Sequence, residues 1–137
     1  MKAVYAAGTD YDNPLSQLKV GELDTPETKP FWSTIHVAAA SVNHHDIWSL
    51  QGVGLSAEQT PMILGTDASG LAEDGRPVIV HSVISTPGWI GDETYDPKRS
   101  LLSELHQGTQ AEYVTVPASN LVAWPAFLSP EEAACLP

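Results

Sequence analysis

The chain has 137 residues, of which 42% are hydrophobic and 17% charged, so it is long enough to bury the core of one domain. Seventeen acidic residues against six basic ones give a net charge of −11, which argues against nucleic acid or an anionic membrane as a partner. The single cysteine excludes an internal disulfide and a multi-cysteine zinc site. The single cysteine and the lack of an apolar leader at the N-terminus together predict a cytoplasmic protein.

Short strands account for most of the predicted elements. Eleven prolines and ten glycines favour turns and short elements over long helices. Apolar runs of strand length recur at residues 2–7, 15–23, 32–42, 62–64, 78–83, 111–116 and 121–124. About seven strands with two or three helical turns predict a mainly β fold, a β-barrel with short helices.

A cluster of polar side chains follows the strongest of these strands. Asn43 can cap a short helix that runs to Leu50, and Gly52 can end it. Asp46 lies in the first turn of that helix. Its expected role is structural, because a carboxylate there complements the helix dipole and ties loops together.

A second polar segment, residues 65–70, begins about twenty residues later, after the buried run 62–64. It is predicted to lie at an edge or a bulge of a sheet, where Gly65 and Gly70 permit close approach of the backbone. The two polar segments are predicted to face each other across an active-site cleft.

The other titratable side chains have no partner that the sequence identifies. His36, His81 and His106 are therefore interpreted as structural. Cys135 has no neighbouring base and is predicted to be a small buried apolar residue.

Several segments, in a fixed order, carry a resemblance to one family. They are NHHD at 43–46, PMILGTDASG at 61–70, GRPV at 75–78, GTQAEYVTVP at 108–117 and LSPEEAACLP at 128–137. In these segments the chain resembles the N-terminal domain of the medium-chain dehydrogenases/reductases. The resemblance implies a GroES-like barrel, followed in the family by a Rossmann domain that binds NAD(P), with the active site in the cleft between them.

The resemblance also implies a division of the chain. Residues 1–128 would form the GroES-like barrel domain, and residues 129–137 would begin the helix that leads to a missing nucleotide-binding domain. No G-x-G-x-x-G follows a strand, so a complete dinucleotide site is not encoded. Because the helix that begins at Ser129 is unfinished, the chain is expected to be a fragment that is not active alone. The alternative is a stand-alone, non-catalytic GroES-like binding or assembly module. A homodimer is an expectation only for the full-length protein.

Two departures from the family pattern concern zinc. Zinc-dependent members place a cysteine where Asn43 stands and a His-Glu pair where Thr66 and Asp67 stand. Asparagine and threonine are poor zinc ligands, so no metal site is expected. The chain resembles the zinc-independent branch, which includes quinone reductases and enoyl reductases. The implied cofactor is NADP or NAD, and the implied partner is a small-molecule substrate, namely a quinone, an enone or an aldehyde or alcohol.

Zinc-dependent members also carry a four-cysteine zinc lobe in the region that corresponds to residues 85–108, and this chain has none of those cysteines. The region has no clear periodicity, and a loop this long is usually functional or mobile. It is either a lid over a pocket, carrying Trp89, or what is left where the lobe is absent.

The resemblance assigns six side chains to the cleft. The residues with catalytic roles are Asn43, His45, Thr66 and Asp67. Those that contact the cofactor are Asn43, His44 and Trp48. Structural alternatives stay open, namely a helix cap for Asn43, a hydrogen-bonded turn for Asp67, a core or interface position for Trp48 and a surface position for at least one histidine.

Overall fold

The computed structural model describes residues 1–137 and contains ten strands and two α-helices. The strands are β1 (Lys2–Ala6), β2 (Leu18–Glu22), β3 (Trp32–Ala40), β4 (Met62–Ile63), β5 (Ala68–Ala72), β6 (Pro77–Val80), β7 (Val83–Ile84), β8 (Ser100–Leu101), β9 (Tyr113–Pro117) and β10 (Leu121–Ala123), and the helices are α1 (His44–Gln51) and α2 (Pro130–Ala133). The predicted mainly β fold is confirmed. Neither α-helix has the length and apolar character needed to cross a bilayer.

The longest strand, β3, pairs with both β5 and β9 in a five-stranded antiparallel sheet of order β10-β6-β5-β3-β9. A second sheet has the order β2-β1-β4, and β7 pairs with β8. Ala3 forms a bridge with Ala111, and the amide of Val4 donates to the carbonyl of Gln110 at 2.8 Å. These contacts join the second sheet to the segment before β9. The sheets therefore curl into a half-barrel.

Two apolar clusters fill the inside of this half-barrel. The larger has nine buried residues, among them Ile35 of β3 and Val114 and Val116 of β9. Val114 and Val116 face the same way because side chains two apart on a strand share a face. The smaller cluster packs Leu50 of α1 against Met62 of β4. Each buried side chain of this size contributes about 1.5–3 kcal/mol, so this packing fixes α1 at the end of β3.

The position of β5 departs in part from the sequence prediction, which put residues 65–70 at an edge or a bulge. The edge is wrong, because β5 lies in the middle of the five-stranded sheet, where Ala68, Ser69 and Gly70 are small enough to be buried between neighbouring strands. The bulge is present, because the pairing of β3 with β5 shifts register opposite Ser69 and Gly70. A side-chain carbon at Gly70 would collide with the carbonyl of His36, so glycine is what allows β3 to approach so closely.

Three further departures are local. The predicted strand 15–23 begins as a 3-10 turn at Pro14–Gln17, because proline has no amide to donate to a ladder. The run 78–83 is divided between β6 and β7. The prediction of a buried Cys135 is wrong: helix α2 ends at Ala133, and the thiol beyond it is exposed.

The long loop between β7 and β8 is organised around one carboxylate. Asp96 is buried and accepts hydrogen bonds from the amide of Thr86 at 2.6 Å, the hydroxyl of Thr86 at 3.1 Å and the amide of Lys98 at 2.9 Å. Burial raises the pKa of Asp96, but the hydrogen bonds together outweigh it and hold the pKa below its ordinary value.

Low pH is therefore expected to weaken the hydrogen bonds through which Asp96 holds this loop. Because the folded-state pKa of Asp96 is depressed, its stabilising contribution is present above the ordinary pKa of about 3.9 and is lost as the pH falls through the folded value. Hydrogen exchange of the Thr86 and Lys98 amides measures the effect. Asp96→Asn should remove the pH dependence of their protection, whereas Asp92→Asn, on the exposed part of the same loop, should leave it unchanged.

Candidate active site

Three of the predicted cleft residues, Asn43, Thr66 and Asp67, meet where β3 ends and α1 begins. Asn43 lies between these two elements, and the turn at residues 65–67 leads from β4 into β5. The amide of Ser41 donates to the carbonyl of Asp67 at 3.3 Å, and the hydroxyl of Thr109 donates to the same carbonyl at 3.0 Å. The backbone therefore holds the two polar segments face to face.

Four side chains in this place form what we call the polar knot: Ser41, Asn43, Thr66 and Asp67. The Asp67 carboxylate accepts from Nδ2 of Asn43 at 2.5 Å, from Oγ of Ser41 at 2.9 Å and from Oγ1 of Thr66 at 2.9 Å. Nδ2 of Asn43 also donates to Oγ1 of Thr66 at 3.2 Å. Thr66 and Asp67 are each only 8% exposed. The carboxylate is thus stabilised by neutral donors, without a cationic partner.

Asp46 makes the connections that hold the knot in place. Its carboxylate accepts from the amide of Asn43 at 2.9 Å, the amide of Gly65 at 2.9 Å and Nε2 of Gln110 at 3.0 Å, and the residue is 4% exposed. The structural role predicted for Asp46 is confirmed. Asn43 is also the N-cap of α1 and forms a capping box with Asp46, so its carboxamide serves both the helix start and the knot.

The two histidines point in different directions. Nε2 of His45 lies 3.1 Å from Oε1 of Glu104, and its Nδ1 lies 3.5 Å from the Ser49 hydroxyl. The ring of His44 packs against Trp48, with centroids 5.0 Å apart, and that indole is half exposed. The six predicted side chains therefore form three groups. Asn43 contacts Thr66 and Asp67, and His44 contacts Trp48. His45 contacts none of the other five, and its partners are Glu104 and Ser49.

The side chains of the polar knot do not fit a zinc ion. Zinc in proteins takes three or four cysteine, histidine or carboxylate ligands at about 2.0–2.3 Å. The knot offers one carboxylate, and because a carboxylate only accepts, the Asn43 group beside it must be the NH₂. The lone pair of that nitrogen is delocalised into the carboxamide, so it is a poor metal ligand. Among residues 1–137, no three His, Cys, Asp or Glu side chains are grouped so that they could hold a metal ion.

Glu104 is the site residue that the sequence did not reveal. Replacing Glu104 with alanine should lower the free energy of unfolding by about 1 kcal/mol or less, because the pair with His45 is partly exposed to water. The more specific readout is the ring of His45: its Nε2 nitrogen should lose the NMR signature of a hydrogen-bonded N–H. Glu104→Gln keeps an acceptor oxygen and should retain that signature. Unchanged ring nitrogens in the alanine variant would contradict the pairing.

Comparison with known proteins identifies the family to which this fold and this site belong. The family model described as alcohol dehydrogenase GroES-like domain matches residues 29–126, a span that contains the polar knot and α1. A crotonyl-CoA carboxylase/reductase of Cereibacter sphaeroides is 27% identical over 146 aligned positions, which cover 91% of this chain and 34% of that protein.

Solved structures show the same relationship. An NAD-dependent alcohol dehydrogenase matches with a TM-score of 0.88 and 33% identity, over 100% of this chain and 43% of that one. The cobalt- and zinc-bound thermostable alcohol dehydrogenase of Pyrobaculum aerophilum matches with a TM-score of 0.84 and 28% identity, over 100% and 44%. The chain thus spans less than half the length of these relatives. It belongs to the alcohol dehydrogenase GroES-like domain family of the medium-chain dehydrogenases/reductases.

Proposed function

We propose that the chain forms the substrate-side half of an NAD(P)H-dependent oxidoreductase that works without catalytic zinc. The observation that carries this proposal is the polar knot, in which the family's metal-ligand positions are occupied by a carboxamide and a hydroxyl hydrogen-bonded to one carboxylate. The substrate would be a quinone, an enone or an aldehyde, and the second half of the cleft would come from a nucleotide-binding domain.

Asn43 would orient the cofactor or the substrate. Both hydrogens of its NH₂ are used inside the knot, towards Asp67 and Thr66. The carboxamide oxygen lies towards the amide of Asp46 in the capping box, and its second lone pair would accept a ribose or substrate hydroxyl. The hydrogen bonds of the knot would hold the Asn43 side chain in one rotamer. The carboxamide oxygen would therefore keep a fixed position towards the bound ligand.

His45 would supply the proton that completes the reduction. The nicotinamide, when bound, supplies the hydride. A carbonyl or enone that accepts hydride at carbon must also gain one proton, and an imidazole is suited to donate it near neutral pH. Glu104, 3.1 Å from Nε2 of His45, would orient the ring. His44 and Trp48, whose rings make a tilted contact at the half-exposed surface of α1, would lie beside the cofactor.

The test is a metal-free activity measurement on the polypeptide that carries this chain. Oxidation of NADPH and of NADH should be followed with a quinone, an enone and an aldehyde, before and after treatment with a strong chelator. We expect turnover with at least one substrate and no loss after chelation. Activity that disappears with the metal and returns with zinc would refute the zinc-free mechanism. Failure to bind or oxidise either cofactor would instead favour a non-catalytic binding or assembly module.

A further inference from the structure

Glu104, the partner of His45, lies on a tight turn at residues 102–106, directly after β8. Leu102 and His106 form a bridge, and the amide of Ser103 donates to the carbonyl of His106 at 2.8 Å. The turn is therefore closed by backbone contacts. From it the Glu104 carboxylate reaches Nε2 of His45, the second residue of α1, at 3.1 Å. A segment 59 residues further along the chain is thus brought onto the start of α1.

Two features of this turn do not stabilise the fold. Ser103 has a φ of 65°, in the left-handed region that residues other than glycine rarely adopt. The residue is fully buried, and its hydroxyl makes no hydrogen bond with the rest of the protein. Both features cost free energy, and features of this kind persist where neighbouring contacts hold them, often at functional sites. Because Glu104 is the next residue, the turn is retained in a costly form that presents this side chain.

A second loop, residues 52–61, also holds the turn. Nε2 of Gln59 donates to the carbonyl of Glu104 at 2.9 Å, and Oε1 of Gln59 accepts from the amide of Ser56 at 2.7 Å. Both ends of the Gln59 carboxamide are thus engaged, which fixes its orientation. Leu55 of the same loop is buried in the smaller apolar cluster. The backbone of Glu104 is therefore tied to a loop that is itself anchored in the core.

Gly54, in the same loop, leaves the space that the Glu104 carboxylate needs. A side-chain carbon at this position would lie 2.7 Å from Oε1 of Glu104 and 3.1 Å from its Cδ. Oε1 is the oxygen that contacts His45. A separation of 2.7 Å is closer than van der Waals contact allows, and the end of a glutamate side chain is flexible. Any larger residue at position 54 would therefore push the carboxylate away from His45.

The contact with Glu104 gives the His45 ring one orientation. Nε2 faces Glu104, and Nδ1 lies 3.5 Å from the hydroxyl of Ser49, about one helical turn further along α1. Because a carboxylate only accepts hydrogen bonds, Nε2 carries a hydrogen while the pair is formed. A ring that transfers a proton must be held at a suitable distance and angle, so whatever fixes this orientation affects the reaction.

We propose that Gly54 is a positioning residue of the site. Because it has no side chain, it lets the carboxylate of Glu104 contact Nε2 of His45, and this contact sets the orientation of the ring. The loop 52–61 and the turn 102–106 are thus parts of the site, although neither contributes to the polar knot. The effect on catalysis rests on the proton donation proposed above for His45, whereas the placement of Glu104 does not.

Two glycine-to-alanine variants test the placement of Glu104. Gly54→Ala and Gly75→Ala impose similar backbone strain, because the two glycines have φ of 77° and 82°. At Gly75 the new side chain would meet nothing within 4 Å, so only Gly54→Ala creates a contact. In nitrogen NMR of the chain, Gly54→Ala should remove the signature of a hydrogen-bonded N–H at Nε2 of His45, and Gly75→Ala should leave it. A retained signature in Gly54→Ala, or an equal loss in both variants, overturns the proposal.

A double variant shows whether Gly54 acts through Glu104. In a chain that already carries Glu104→Ala the carboxylate is gone, so adding Gly54→Ala should change the ring signals of His45 no further. In the wild-type background the same substitution should shift them. A shift of equal size in both backgrounds would mean that position 54 affects His45 by another route, and would overturn the proposed role.

Turnover separates this proposal from the function on which its catalytic part rests. In the NAD(P)H assay described above, Gly54→Ala should lower kcat about tenfold and change KM less than about twofold, because ring orientation affects proton transfer rather than substrate binding. Gly75→Ala should leave both unchanged. A lost His45 signature with unchanged kcat would refute His45 as the proton donor and still support the placement of Glu104. A retained signature would refute the role of Gly54, whatever the turnover.

Discussion

Replacing Asp46 with alanine should lower the free energy of unfolding by about 3–5 kcal/mol, since a buried amide left without an acceptor costs about 1–3 kcal/mol. The carboxylate accepts from the amides of Asn43 and Gly65 and from the side chain of Gln110. The two amides would lose their acceptor at once, and Gln110 would keep only the carbonyl of Ser41 at 3.4 Å, in a place that water reaches poorly. Urea unfolding monitored by tryptophan fluorescence measures the change.

A matched control exists in the same chain. Asp10 also accepts two backbone amides, those of Asp12 at 3.1 Å and Asn13 at 3.0 Å, but at the surface. Asp10→Ala should therefore cost less than about 1 kcal/mol, because water replaces the lost acceptor. Asp46→Asn, which keeps one acceptor oxygen, should fall between the two alanine variants. If Asp46→Ala cost no more than Asp10→Ala, the carboxylate would not be what joins α1 to the turn at Gly65.

The double variant Asn43→Cys with Thr66→His should acquire a zinc site. Nδ2 of Asn43 lies 3.2 Å from Oγ1 of Thr66 and 2.5 Å from Oδ2 of Asp67. Ligands at about 2.1 Å from a tetrahedral zinc are about 3.4 Å from one another, so the three side-chain ends already converge as a metal requires. A thiolate, an imidazole and the Asp67 carboxylate would complete a three-ligand set. Zinc affinity should rise at least about 1,000-fold, or about 4 kcal/mol.

The control for this gain moves the thiol by one residue. In the variant Val42→Cys with Thr66→His the cysteine replaces a residue that is 81% exposed. Its zinc affinity should stay close to that of the wild type. Calorimetric titration against a competing chelator compares the variants. Equal affinities for the two double variants would show that Asn43 and Thr66 do not converge as described.

The sequence was most informative where function depends on neighbours along the chain. Asn43 and Asp46 are three residues apart, so a helix start that brings them together follows from local rules. The resemblance placed Thr66 and Asp67 opposite Asn43, and the structure brings these three side chains within hydrogen-bond distance. The catalytic and cofactor roles assigned to the cleft residues stay predictions.

The sequence could not reveal the partners that come from distant loops. Glu104 lies 59 residues after His45, in a region without periodicity, so no local pattern connects the two. Trp89 illustrates the same limit, because the sequence left it as either a pocket lid or a remnant. In the structure it does line a cavity, but together with Trp32 rather than with the polar knot. The central position of β5 was missed for a related reason, because strand order is decided by pairing between distant segments.

The zinc content of the wild-type protein tests the central claim most directly, which is that the polar knot is a metal-free half of a catalytic cleft. The chain should be purified without chelator, supplied with excess zinc, dialysed and analysed for metal by atomic emission. We expect far less than one zinc per chain, and unchanged Asn43 and Thr66 NMR signals on addition of the metal. Stoichiometric zinc that resists dialysis and shifts those signals would contradict it.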